Sequence, residues 1–198
     1  MVQIDYFLAT LSPYVYLAGD RLEAIADKHG ATLRYLPLNA AALFPRTGGQ
    51  LRADRHPSRL AYRDQELRRQ AQKRGVRLDL KPLYDGANPA PSSYAILAAQ
   101  QAGGGDLAGL VQAFPRALWA EARNIAEDAV VRDILTAYGF DPAIADRGMM
   151  MAADAYGANL EEAVLRGVFG VPFYMVGDEK FWGQDRLEDL DLHLSGKL

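Results

Sequence analysis

Apolar residues cluster in two different rhythms along the chain. Val2–Leu8 is a short run dominated by apolar residues and bounded by turn residues, which predicts a strand. From Pro13 onward the spacing changes. Tyr14, Ala18, Leu22 and Ile25 fall on one helical face, and Gly30 sits where a helix closes. Ala31–Leu38 reads as a second strand, so the chain opens as strand–helix–strand, the pattern of a right-handed parallel unit. At the far end, Gly167–Val176 predicts a strand entered through a proline, Gly177-Asp178 a hairpin turn and Glu179–Trp182 the returning strand. Gly183-Gln184-Asp185 then caps a last helix over Arg186–Leu194. The region between Asn39 and Asn159 has helical spacing around Pro57–Gly75, Ser92–Ala102, Leu107–Glu121, Asp128–Tyr138 and Pro142–Tyr156. Gly103-Gly104-Gly105 lacks the Lys-Ser/Thr of a phosphate loop and reads as a hinge. The fold class is therefore α/β: residues 1–38 and 160–198 build one sheet, and 39–159 form an all-helical insertion.

Composition narrows what this fold can do. The 198 residues are 49% hydrophobic, enough for a sizeable core. Net charge is −3, so no global field draws in nucleic acid or a membrane surface. No apolar run approaches the ~20 residues of a membrane span, and no signal peptide is evident, so the cytoplasm is the expected location. Cysteine is absent, which removes disulfides, thiolate metal sites and any thiol nucleophile of the chain's own. The charge is unevenly placed. Residues 46–77 hold ten basic and three acidic side chains, a local +7 that leaves −10 for the rest. Such a run is ordinarily a solvated helix face, and with only Tyr62 nearby it lacks the aromatic interleaving of a nucleic-acid platform. A patch attracting small carboxylate ligands fits it better.

Three places carry candidate chemistry. Ser12, followed by Pro13, stands at a helix start. It is either an N-cap satisfying a backbone donor, worth about 1 kcal/mol, or a hydroxyl donating to an anion held at the helix end. It is no serine-hydrolase nucleophile: His29, His56 and His193 are scattered, G-x-S-x-G is missing, and no metal motif occurs. Val171-Pro172 is either an edge-strand proline or a cis bond that turns the Val171 backbone outward, where a peptide-like ligand could pair as one more strand. In W-G-Q-D-R, Asp185 can cap the last helix, while Gln184 and Asp185 can also take the carboxylate and ammonium of an amino-acid group.

Together these segments resemble 2-hydroxychromene-2-carboxylate isomerases, which are similar to kappa-class glutathione transferases and more distantly to DsbA oxidoreductases. The resemblance rests on D-Y-F-L-A-T-L-S-P-Y-V-Y-L-A from Asp5, on Asn88-Pro89, and on G-V-F-G-V-P-F-Y-M-V-G-D-E-K-F-W-G-Q-D-R-L from Gly167, with A-L-W-A-E-A-R-N-I-A between them. It implies a thioredoxin-like domain with a helical insertion, glutathione as cofactor and a homodimer. By that resemblance Ser12 holds the glutathione sulfur, Val171 before Pro172 pairs with the cysteinyl unit, and Gln184 and Asp185 grip the γ-glutamyl end. Arg59 stands where the family has a lysine near the glycine carboxylate. Tyr14, Gln50 and Asn88 are expected to line the pocket of an aromatic carboxylate substrate. Val15 replaces a common second serine, and Gln50 an asparagine. The expected reaction is reversible thiolate addition, bond rotation and elimination. A conjugating transferase or peroxidase would use the same site, and a binding module without chemistry is the third reading. Thiol–disulfide exchange is excluded, because the chain has no sulfur nucleophile.

Overall fold

A computed structural model describes residues 1–198. Strands β1 (Gln3–Leu8) and β2 (Thr32–Pro37) pair in parallel, with Tyr6 opposite Tyr35. The hairpin β3 (Phe173–Val176) and β4 (Glu179–Trp182) docks antiparallel on the other edge of β1, giving the order β2–β1–β3–β4. β1 is central and covered on both faces, which explains its near-continuous apolar run in place of strict alternation. On one face Ile4, Tyr6 and Leu8 join a 29-residue core with helices from the middle of the chain. On the other, Phe7 packs with Leu36, Phe173 and Met175.

The helical face predicted from Tyr14 to Ile25 is carried by two helices, α1 (Pro13–Ala18) and α2 (Arg21–His29), broken at Gly19-Asp20. Arg21 makes the break self-sufficient. Its Nε donates to the Ala18 carbonyl at 2.9 Å and its Nη2 to the Leu17 carbonyl at 3.0 Å, so the last carbonyls of α1 are satisfied.

The insertion comprises α3 (Ala40–Leu43), α4 (Pro57–Arg74), α5 (Ala90–Ala102), α6 (Leu107–Ala120), α7 (Asp128–Ala137), α8 (Ile144–Arg147) and α9 (Met149–Leu165). The single helix expected over Pro142–Tyr156 is two, offset at Gly148, and α9 continues past residue 160. The chain ends in α10 (Leu187–Leu194). The strand expected from Gly167 begins only at Phe173, and the residues before it form a loop. The whole is the thioredoxin-like arrangement with a helical insertion that the resemblance implies. No helix is long and apolar enough to cross a membrane.

Candidate active site

A cleft of about 1170 Å³ opens where the end of β1, the start of α1, the α3–α4 segment and the turn after β4 meet. Ser12 lies at its base and is held from several sides. Its N–H donates to Ala9 O at 2.9 Å, Trp119 Nε1 to the neighbouring Leu11 carbonyl at 3.2 Å, and buried Ser92 Oγ to Thr10 Oγ1 at 2.8 Å. Ser12 is the N-cap of α1: its Oγ accepts the Val15 N–H at 3.3 Å. The cap uses only the acceptor side of the hydroxyl. The O–H proton has no partner in the chain, and neither does the Tyr14 N–H in the first turn of the helix. Both readings of Ser12 are thus compatible in one geometry. No histidine lines the cleft.

One wall is built by the segments around β3 and β4. Val171-Pro172 is a cis peptide. Pro172 O accepts the Gly183 N–H at 3.0 Å, yet neither the N–H nor the C=O of Val171 is bonded within the chain. Two glycines shape this wall by close approach. A Cβ on Gly170 would stand 2.4 Å from Trp182 Nε1, and one on Gly183 would stand 2.6 Å from Asp185 Oδ1. Gln184 is 2% exposed; both its backbone carbonyl and its Oε1 accept from Arg21 Nη2 at 2.8 Å, which leaves the side-chain amide nitrogen without a partner. Asp185 does not cap the last helix. The N-cap is Arg186, with no side-chain hydrogen bond, so the Asp185 carboxylate stays exposed beside Arg186 Nη1 at 3.6 Å. The added turn residue moves the helix start one position on and releases the carboxylate.

Behind this wall lies a buried polar layer. The ring centres of Tyr6 and Tyr174 are 5.0 Å apart, and Tyr35 donates to Glu23 at 2.9 Å. Burial pushes the Glu23 carboxyl up to about 7, against the opposing hydrogen bond from Tyr35.

The other wall is made of side chains. Gln50 lies at the mouth, and its Oε1 accepts from Arg59 Nη1 at 3.1 Å; Arg55 donates twice to the Gln50 carbonyl, at 3.2 and 3.1 Å. Tyr14 donates to Glu66 at 3.2 Å. Burial, reinforced by Glu66, raises its phenol to about 12, so it stays protonated at neutral pH. Arg63 is buried one turn beyond Arg59.

The cleft therefore unites Ser12, Tyr14, Gln50, Arg59, Val171, Pro172, Gln184 and Asp185. Asn88 is not among its lining residues. Its Oδ1 accepts the Ala90 N–H at 3.0 Å, so the exposed side chain serves the start of α5. Sequence reasoning missed Arg21, which fixes Gln184, and Arg55 and Arg63. The available signal was only the local excess of positive charge over residues 46–77; Arg55 precedes α4, so helical spacing relates Arg59 and Arg63 alone.

The family model described as a DSBA-like thioredoxin domain matches residues 3–195. The 2-hydroxychromene-2-carboxylate isomerase of Pseudomonas putida is 31% identical over 192 residues, spanning 93% of this chain and 90% of that protein. Its namesake from Sphingobium xenophagum is 28% identical, spanning 96% and 97%. Among solved structures, a 2-hydroxychromene-2-carboxylate isomerase superposes with a TM-score of 0.78 at 27% identity, covering 98% of this chain and 95% of that one. The cytosolic disulfide reductase DsbM from Pseudomonas aeruginosa, solved with GSH, shares the fold at a TM-score of 0.68 and 21% identity, covering 98% of each chain.

Proposed function

The chain belongs to the DSBA-like thioredoxin-domain family and, within it, to the 2-hydroxychromene-2-carboxylate isomerases; from that premise we propose that it uses glutathione to isomerise a carboxylate-bearing aromatic compound of the 2-hydroxychromene-2-carboxylate type. The observation that carries the cofactor is the set of polar groups around Ser12 that the chain leaves unpartnered or, for Asp185, only loosely paired. A tripeptide thiol needs a backbone donor and acceptor, a donor for its sulfur, and groups for a carboxylate and an ammonium. The chain offers the Val171 N–H and C=O, the Ser12 hydroxyl proton, the Gln184 amide and the Asp185 carboxylate. Arg59 supplies a cation for the glycine carboxylate, with a fork in place of a point charge.

Bound glutathione would supply a thiolate, a nucleophile whose reversible addition makes a fixed double bond free to rotate. The protein's part is positioning and electrostatics. Ser12 donates its proton toward the sulfur while its lone pairs hold Val15, and the free Tyr14 N–H adds positive potential at the same point. Val171 aligns the peptide as an extra strand. Tyr14, kept neutral, and Gln50 border the space left for the substrate. The homodimer is part of the same proposal, and sedimentation tests it.

Calorimetric titration with glutathione tests the cofactor; absence of binding overturns it. Turnover on 2-hydroxychromene-2-carboxylate with total glutathione constant supports isomerisation. Glutathione that falls with product marks a conjugating transferase instead.

A further inference from the structure

Arg59 is one arginine of the helical wall, and the cofactor reading assigns no role to its neighbours Arg55 and Arg63. Arg63 is 9% exposed, which is rare for a cation without strong pairing. Its ion partner is Asp64, the next residue, at 3.3 Å, and that side chain is 46% exposed. This contact occupies one N–H of the five a guanidinium carries. None of its nitrogens is sealed in without a partner, and the residue lines the cleft, so its remaining donors face open space. The nearby carboxylate, Glu66, is engaged by the Tyr14 hydroxyl. The guanidinium lies 6.0 Å from the ring centre of buried Trp119, a residue that also lines the cleft and fixes the Leu11 carbonyl next to Ser12. Arg55 adds a second cation to this wall, its bonds spent on the neutral Gln50 carbonyl.

We propose that Arg63, assisted by Arg55, is the anchor for the carboxylate of the aromatic substrate and so determines substrate specificity. The inference rests on the assignment of Arg59 to the cofactor. It follows from charge accounting. Of the four arginines that this segment places along the cleft, Arg52 is paired with Asp85; among Arg55, Arg59 and Arg63, Asp64 is the single carboxylate to which any is bonded. One cation answers the glycine carboxylate at the mouth. The deeper pair remains for a second carboxylate, nearer Tyr14 and the base of the cleft. A planar fork binds a carboxylate through two parallel hydrogen bonds, which fixes the orientation of the attached ring. The partly desolvated setting strengthens that contact relative to a surface pair.

Calorimetric titration with chromone-2-carboxylate, a bicyclic carboxylate that does not turn over, tests the assignment alongside glutathione and uncharged chromone. Arg63→Gln should weaken chromone-2-carboxylate at least tenfold while changing glutathione and chromone affinity less than twofold. Arg59→Gln should show the opposite preference. Arg63→Lys should recover part of the loss, since it keeps the charge without the fork, and it provides the same readout if Arg63→Gln fails to fold. Equal loss of chromone and chromone-2-carboxylate would reduce Arg63 to a packing role and overturn the inference. So would a loss of glutathione binding as large as that of Arg59→Gln, or wild-type protein that does not take up chromone-2-carboxylate. Wild-type protein that binds chromone-2-carboxylate through Arg63 but not glutathione would instead overturn the cofactor reading and leave this one standing.

Discussion

The two walls of the cleft are built by opposite means. The wall from Gly170 to Asp185 presents backbone groups and short side chains: Gly170 lies close against Trp182, Gly183 holds a positive φ, and Gln184 is held at two points by Arg21. The wall from Gln50 to Glu66 presents long arginines: Arg55 and Arg59 are joined to the neutral Gln50, Arg52 to Asp85 and Arg63 to Asp64. A fixed backbone edge suits a ligand of constant shape, such as a peptide cofactor. Long cations on a helix suit a ligand recognised by charge, and they can be exchanged without disturbing the fold. Under the proposed assignments the backbone wall would take the cofactor, Arg59 would join it from the arginine wall, and Arg63 with Arg55 would be left for the substrate, with Ser12 at the junction.

The largest expected effect is therefore at that junction. Ser12→Ala should lower turnover on the order of 100-fold, the usual cost of losing one donor to a developing or bound anion. It should also raise the pKa of bound glutathione, read by ultraviolet thiolate absorbance. Loss of the cap to Val15 should cost about 1 kcal/mol of stability as well, so the absorbance titration separates the two roles. An unchanged titration would remove Ser12 from the chemistry.

The next effect tests how firmly the first wall is backed. With its carboxyl at about 7 when folded and 4.5 ordinarily, Glu23 keeps a proton that the unfolded chain has lost. Its contribution is complete below about pH 4.5 and is lost as pH rises through about 7, so stability falls over that window, by about 3 kcal/mol. Glu23→Gln keeps an acceptor for Tyr35 and should flatten the profile in denaturant titrations at several pH values. A wild-type profile already flat above pH 5 would show that the buried layer is not under this charge. A smaller change belongs to the wall itself. Asp185→Asn should weaken glutathione about tenfold by calorimetry, the scale of a charge-assisted hydrogen bond, with little change in substrate KM at saturating cofactor. Equal weakening of both ligands would erase the distinction between the walls.

The walls also differ in how far the sequence alone reveals them. Val171-Pro172 and G-Q-D-R are short motifs in which backbone geometry and residue type travel together, so the unpaired Val171 groups and the placing of Gln184 and Asp185 at the cleft are legible in the residues themselves. The second wall is legible only as charge. Nothing local says which of ten basic residues turns inward, because Arg63 and its exposed neighbours differ in tertiary burial, not in type. The strands and most helices follow from their apolar spacing. The break between α1 and α2 does not, since Leu22 keeps the helical spacing while Arg21 supplies the capping bonds from its side chain. Asp185 has the residue type of a cap, which is why the sequence suggests that role; the helix simply starts later.

Asn88 gives the smallest and most discriminating test of these limits. Its place in N-P before a helix suits both a pocket residue and a turn residue, and the structure gives it the second role through the bond from the Ala90 N–H at 3.0 Å. Asn88→Ala should then lower stability by about 1 kcal/mol in denaturant unfolding, as for other side chains that satisfy a helix-start donor. Glutathione affinity and substrate KM should stay within twofold. A tenfold rise in KM with stability unchanged would return Asn88 to the cleft and make the helical wall larger than its arginines.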